Sequence, residues 1–434
     1  MAAGHPAGTS VHRQPTPAMS LPHALRFSAP ITRRRFLAVG LGLAALPLLA
    51  GCGAGGASAP PTPLRVHLNL TAYERAVFVR LVIPPFEAAQ GARVELTDGT
   101  TDEAIGALRD DNGALDLLAV DTEALGGMIA ERLTSDVSTE RAALADGVVP
   151  NVLGALEANG ALHALPYRPT TWITYHNTAL FGAARLDPPR TWDELLTAAG
   201  TLRTPDGVGL IELQGATSAT AGGPAAQSFV ELIWAFGGDP FDPTGDGARA
   251  AGTFLARLGP QLAAGSRDAK IDTLARDLAM NAAALGPNWP SVATDLLQRG
   301  GKTDLAVTPT LAGPAGSARV LSGQILVVPP GAKQRILALA LAAHLRSRAM
   351  QELFARELAW LPAREDAFPA APAWQSAAAA AALTALKGSR ALPPLADRVG
   401  FDTALGDAFR QIAFQGADPN TALATAAGKL ASVR

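Results

Sequence analysis

Residues 165–196 read LPYRPTTWITYHNTALFGAARLDPPRTWDELL, and three physically distinct pieces follow one another in this stretch. Leu165–Asn177 sets Tyr167, Trp172, Ile173 and Tyr175 among threonines. That β-branched and aromatic content predicts an extended segment. Phe181–Pro189 is a turn-rich connection ending in Pro188-Pro189. Thr191-Trp192-Asp193-Glu194 then spells a capping box. Thr191 can accept from the amide three residues on and Glu194 can reach back, which predicts a helix from about Trp192.

Upstream, Leu64–Leu70 alternates apolar and polar residues as a strand does. Thr71-Ala72-Tyr73-Glu74 predicts a second capped helix, with Phe78, Leu81 and Val82 on one face and a stop at Pro84-Pro85. A short strand at Arg93–Leu96 precedes a helix capped by Thr100–Glu103. The apolar run Leu115–Val120, ending at Asp121, predicts a buried parallel strand. This alternation predicts an α/β lobe with a mostly parallel sheet.

Downstream, Phe229–Phe241 predicts a helix ended by Gly237-Gly238, and Ala248–Leu258 and Asp268–Met280 predict Ala-rich helices. Gly286–Pro290 predicts a break before a helix at Ser291–Gln298. Strands follow at Asp304–Pro309 and Arg319–Val328, then helices at Gln334–Leu345 and Ser347–Leu358. From Trp374 on the chain is helical and Ala-rich, interrupted at Leu392–Leu395.

With 434 residues, 48% hydrophobic and 17% charged, the chain can bury more than one sizeable core. The five arginines of residues 1–51 face no acid, which leaves 31 basic against 38 acidic residues from Cys52 on. That balance disfavours a nucleic-acid partner. Cys52 is the sole cysteine, so an intrachain disulfide and a multi-cysteine metal site are excluded. The seven histidines form no metal-ligand spacing, and neither a nucleophile elbow nor a phosphate-binding glycine loop occurs. No cofactor is expected.

Arg33-Arg34-Arg35-Phe36-Leu37 leads into an apolar run to Ala50, too short for a span of about 20 residues. A basic start and a short apolar core predict an export signal over residues 1–51. The twin arginines resemble a Tat signal, and Leu49-Ala50-Gly51-Cys52 resembles a bacterial lipobox, implying lipid attachment at Cys52. Residues 52–63 then read as a flexible tether.

Leu165-Pro166, Thr174-Tyr175-His176-Asn177 and Pro189-Arg190-Thr191-Trp192-Asp193-Glu194-Leu195 together resemble family 1 extracellular solute-binding proteins of ABC transporters, where the chain first passes between two lobes. Trp234-Ala235-Phe236-Gly237-Gly238-Asp239, Asn288-Trp289-Pro290 and Ser322-Gly323-Gln324 are similar to further motifs of that family's trehalose/maltose-binding branch. The resemblance implies a two-lobe α/β periplasmic-binding fold of type II. Lobe one would hold 64–168 plus 310–358, and lobe two 169–309 plus 359–434. It implies an interlobe cleft for a small polar solute, a sugar or oligosaccharide, passed to permease subunits by a monomeric, membrane-anchored, non-enzymatic protein.

Within that frame Trp289 is the expected stacking face for a sugar, or else a core tryptophan. Asp121, at a strand's carboxyl end, is an expected hydroxyl acceptor, or else a helix cap. Tyr167 is a cleft or hinge-packing residue, Thr71 a contact or only a cap, and Trp234 a contact or core. Gly323 and Gln324 would bring backbone and amide to the solute, unless Gly323 marks a strand bulge. Two departures reduce the sugar-binding complement of that branch: Thr170 stands where an acid is common, and Ser322-Gly323-Gln324 where Gly-Gly-Trp is. The open alternatives are a polyol or phosphorylated polyol as solute, and an exported hydrolase using paired carboxylates.

Overall fold

The computed structural model describes residues 62–433 apart from 145, 221, 373 and 374. The export signal, Cys52 and most of the tether therefore lie outside the described residues. Counting strands of three or more residues, β1 is Leu64–His67, β2 Val94–Leu96, β3 Leu117–Asp121, β4 Leu165–Thr170, β5 Ile173–Asn177, β6 Leu285–Asn288, β7 Leu305–Thr308 and β8 Ser322–Val327. A five-stranded sheet runs β2-β1-β3-β8-β4, and a three-stranded sheet runs β6-β5-β7.

β1 pairs parallel with both β2 and β3, as βαβ crossovers require. Leu117 to Val120 are fully buried because helices cover both faces. The expected mostly parallel sheet in each lobe is only half met. β8 joins β3 and β4 antiparallel, and β5 is antiparallel to both neighbours. These strands arrive from the far end of the chain or by returning on themselves, so they enter against the existing direction. Parallel pairing in the second sheet is confined to single bridges, such as Ile211 with Leu285.

Local chemistry explains most elements and corrects some expectations. Thr71 and Thr100 each complete a capping box, with Glu74 and Glu103 respectively. At Thr191 only half the box forms: Thr191 accepts from the Glu194 amide, but Glu194 takes the Arg190 amide instead. Pro84-Pro85 does not stop its helix. A π turn at Phe78–Val82 widens the backbone, and the helix restarts as Ile83–Gln90 with the prolines in its first turn, where no N–H is needed. Gly286–Asn288 is strand rather than break. Pro287 is tolerated there because β6 has only one neighbouring strand, β5. Helix Pro224–Ala235 starts earlier than Phe229 and ends at Phe236, followed by Gly237 at φ +80°.

The two sheets are joined where backbone crosses from one to the other. β4 continues into β5 through Thr171 and Trp172, both buried. Thr171 Oγ1 donates to the carbonyl of Val320 at 2.9 Å, and the Leu321 amide donates to the carbonyl of Arg390 at 3.0 Å. Beside them lies a buried ion pair. Arg319 Nη1 meets Glu231 Oε2 at 2.5 Å, and Nη2 reaches Thr174 Oγ1 at 2.5 Å. Glu231 Oε1 also accepts from the Val320 amide at 3.1 Å. Helix Pro224–Ala235, the segment entering β8 and strand β5 thus meet at one charge-paired knot.

Residues 359–388 are tied to the five-stranded side. The Val149 amide donates to the Ala363 carbonyl at 3.0 Å, and Asn151 donates to the carbonyl of Lys387 at 2.7 Å. Ala382 and Leu386 share a core with β1 and β3, whereas Leu392 and Phe401 pack with helix Pro224–Ala235. No helix among the described residues is long and apolar enough to cross a membrane.

Replacing Glu231 with alanine would leave Arg319 charged, buried and unpaired. The expected result is a loss of about 3–5 kcal/mol in unfolding free energy, read as a lower urea midpoint with an unchanged slope.

Candidate functional site

β3 ends beside the start of β8, with Asp121 opposite Gln324. The edge strand β6 ends at Asn288 and delivers Trp289 from the other sheet. Between them lies a cavity of about 350 Å³ lined by Asp121, Glu123, Arg168, Trp289, Gly323 and Gln324, with Gln227, Ser291 and Trp360 completing the wall. Asp121 and Glu123 also face a second chamber of about 630 Å³ along helix Thr101–Asp110. A larger hollow of about 840 Å³ lies against helix Trp192–Thr201 and draws no residue from the five-stranded sheet. Ligands of open α/β sheets gather at the carboxyl ends of strands, so the chambers at Asp121 form the candidate site.

Trp289 is half-buried and firmly seated. Its amide donates to Asn288 Oδ1 at 2.9 Å, and its carbonyl accepts from the Tyr175 hydroxyl at 3.1 Å. The buried Trp172 meets its ring edge-on at 5.9 Å. Asn288 is itself buried and donates to the carbonyl of Ile271 at 2.9 Å. Trp289 is thereby held in place on the cavity wall, where an aromatic ring can stack on C–H surfaces.

Asp121 opens the short turn at Thr122–Ala124, but its side chain makes no capping hydrogen bond. It is left to the cleft. Asp121 stays exposed, yet partial desolvation, then the charge of Glu123, push its carboxyl up to about 6, against hydrogen bonding from Gln324 and the Arg168 charge. Glu123 is held by the hydroxyls of Ser322 at 2.8 Å and Thr122 at 3.0 Å.

Arg168 lies on β4 with its guanidinium 4.1 Å from the centre of the Trp360 ring. Glu74 Oε1 pairs with Arg168 at 3.2 Å and accepts from Trp360 Nε1 at 2.7 Å. Burial pulls the Arg168 guanidinium down, and Glu74 pulls it back.

Of the residues expected from sequence, Asp121, Trp289, Gly323 and Gln324 share this cavity. Tyr167, Thr71 and Trp234 do not line it. Tyr167 is fully buried one layer behind, edge-on to Trp360 at 5.6 Å. Thr71 is the cap of its helix. Trp234 packs in the second core near Arg390. Gly323 has φ +126°, and a Cβ there would lie 2.3 Å from the carbonyl oxygen of Arg168. The close approach it permits is between β8 and β4, where the register shifts. Sequence reasoning missed Glu123, Arg168, Gln227, Ser291 and Trp360. A charged residue inside an extended run at Arg168, and a second acid two residues after Asp121, were the available signals. Among the described residues no cluster of three or more acids, histidines or cysteines could hold a metal.

A family model described as bacterial extracellular solute-binding protein matches residues 82–382. Among solved structures, the chain is similar to an ABC transporter solute-binding protein from Thermotoga lettingae bound with α-D-tagatose. The TM-score is 0.70 at 18% identity, covering 86% of this chain and 99% of that one. It is similar also to a cyclo/maltodextrin-binding protein complexed with maltotetraose, with TM-score 0.73 and 16% identity over 87% of this chain and 98% of that one. A third is UgpB from Mycobacterium tuberculosis in complex with glycerophosphocholine, with TM-score 0.69 and 19% identity over 86% and 98%. These likenesses show a two-lobe α/β binding fold. No curated protein sequence matches the chain.

The raised Asp121 carboxyl has a stability consequence. The unfolded chain ionises Asp121 near the ordinary 3.8, whereas the folded chain holds the proton up to about 6. Ionisation therefore costs the native state stability that grows through this interval and is complete above it. Asp121→Asn should melt higher than the parent at pH 7.5, with the difference gone at pH 3.5; thermal melts across that range test it.

Proposed function

Because the chain belongs to the family of bacterial extracellular solute-binding proteins, we propose that it captures a small polyhydroxylated solute in the Asp121–Trp289 cleft and delivers it to the permease subunits of an ABC importer. The observation that carries this reading is the convergence, from two separate sheets, of an anchored aromatic face and a carboxylate pair in one cavity. A sugar presents C–H faces for the ring and hydroxyls for the carboxylates. The bound sugars of the tagatose and maltotetraose complexes support the same reading. A phosphorylated polyol fits less well, since Asp121 and Glu123 would face its charge and Arg168 is already paired with Glu74.

The chain lies in two lobes built on the five-stranded and three-stranded sheets, and closure about the Thr171, Val320 and Arg390 crossings encloses the solute. We infer a last crossing at about Ser389–Leu392; the hydrogen bonds between residues 359–388 and residues 147–151 support it. The solute-binding family is extracellular. In the finer reading the Tat-like signal directs export, and lipid on Cys52 tethers a monomer to the membrane.

A thermal-shift screen against mono- and oligosaccharides should give a ligand-dependent rise in melting temperature. For a sugar that binds, Trp289→Ala should weaken affinity by about tenfold to a hundredfold, the worth of burying one large apolar face at roughly 1.5–3 kcal/mol. An unchanged affinity counts against stacking at Trp289. Cys52→Ser should move the exported protein from the membrane fraction to the soluble one in cell fractionation.

A further inference from the structure

The cleft carries an acceptor beyond its carboxylates. Gln227 is nine-tenths buried at 6% exposure, and its amide nitrogen donates to Glu231 at 3.3 Å. A carboxylate can only accept, so the orientation of this amide is set and its oxygen is left without a protein partner on the cavity wall. On the neighbouring strand the Gln324 amide hydrogen bonds Asp121, while its own oxygen is shut in without a partner. The donors on this wall are the indole N–H of Trp289 and the N–H groups of Arg168 not turned to Glu74, and the hydroxyls of Thr170 and Ser291 serve either role.

The charges point the same way. Every guanidinium lining the two chambers is already paired. Arg168 meets Glu74 at 3.2 Å, Arg109 makes a two-pronged contact with Glu131 at 2.6 and 2.8 Å, and Arg398 meets Asp402 at 2.9 Å. Against these, Asp102, Asp121, Glu123 and Asp397 line the chambers without an ion-pair partner among the described residues. A neutral sugar would satisfy the acceptors but leave the charge excess in place. An ammonium has three donors and no acceptor, and it cancels charge as it binds.

We propose that the solute is cationic: a polyhydroxylated amine whose ammonium sits between Asp121 and Glu123 while its ring or methylene face covers Trp289. This deepens the solute-capture reading and rests on it. An amino sugar and a choline-bearing solute share the ammonium, and they differ in whether hydroxyls or methyl groups surround it.

Isothermal titration of the protein at pH 7 and low salt would compare five probes: the glucosamine disaccharide, its di-N-acetylated counterpart, maltose, choline and glycerophosphocholine. The glucosamine disaccharide should bind at least about tenfold tighter than the N-acetylated form, as close charge pairs at an interface support. Glu123→Gln should abolish that ratio while the variant keeps its circular-dichroism spectrum and melt. If it does not fold, Asp121→Asn carries the same readout. Tighter binding of choline or glycerophosphocholine than of the glucosamine disaccharide would support the cation and assign it to a choline-type source. Equal or tighter binding of maltose or the N-acetylated disaccharide overturns the inference and leaves solute capture standing. No heat from any of the five overturns the inference and also counts against the cleft itself.

Discussion

The structure depends on a knot of backbone crossings closed over a buried ion pair. Two sheets of different strand order can be held in fixed relation only if the segments between them are themselves fixed. Here Thr171 is bonded to Val320 and Leu321 to Arg390, and Arg319 ties β5 to helix Pro224–Ala235 through Thr174 and Glu231. Ion pairs so deeply buried add little to stability over an apolar substitute, but they are costly to break and tolerate few geometries. That suits a joint, which must allow rotation about one axis and resist slippage along others.

The same helix that supplies Glu231 supplies Gln227, one turn earlier, on the cavity wall. Joint and cleft are therefore coupled through a single carboxylate, which accepts from the crossing segment with one hand and orients a cleft amide with the other. Electrostatics of the cleft follow from scaffold pairings made elsewhere. Because Glu74 neutralises Arg168, the charge left facing the cavity is that of Asp121 and Glu123. The upward shift of Asp121 registers partial loss of hydration and the like charge of Glu123 beside it.

How much of this was legible in the sequence depended on range. Thr71 and Thr100 caps were readable because three residues decide them. Asp121 was readable because an apolar run followed by an acid marks a strand's carboxyl end. Trp289 was readable because flanking prolines argue against a helix core. The failures have equally physical causes. Pro84-Pro85 looked like a stop because a π turn leaves no signature in residue type. The Thr191 box closed only halfway, since Glu194 had a second amide within reach. The Glu74–Trp360 bond joins residues 286 apart, and no local pattern announces it. Trp360 was invisible as a cleft residue for that reason, as was the placing of residues 359–388 beside 147–151.

Glu74 serves two masters. With one oxygen it completes the first helix's cap at the Thr71 amide, and with the other it holds Trp360 and Arg168. The opening turn of a surface helix and the polarity of a hollow one layer away are therefore a single heritable trait. Loss of the Glu74 carboxylate, which does not line the hollow, would leave Arg168 unpaired on its wall and shift the charge there toward positive. The hollow's polarity can thus change before any residue that lines it does.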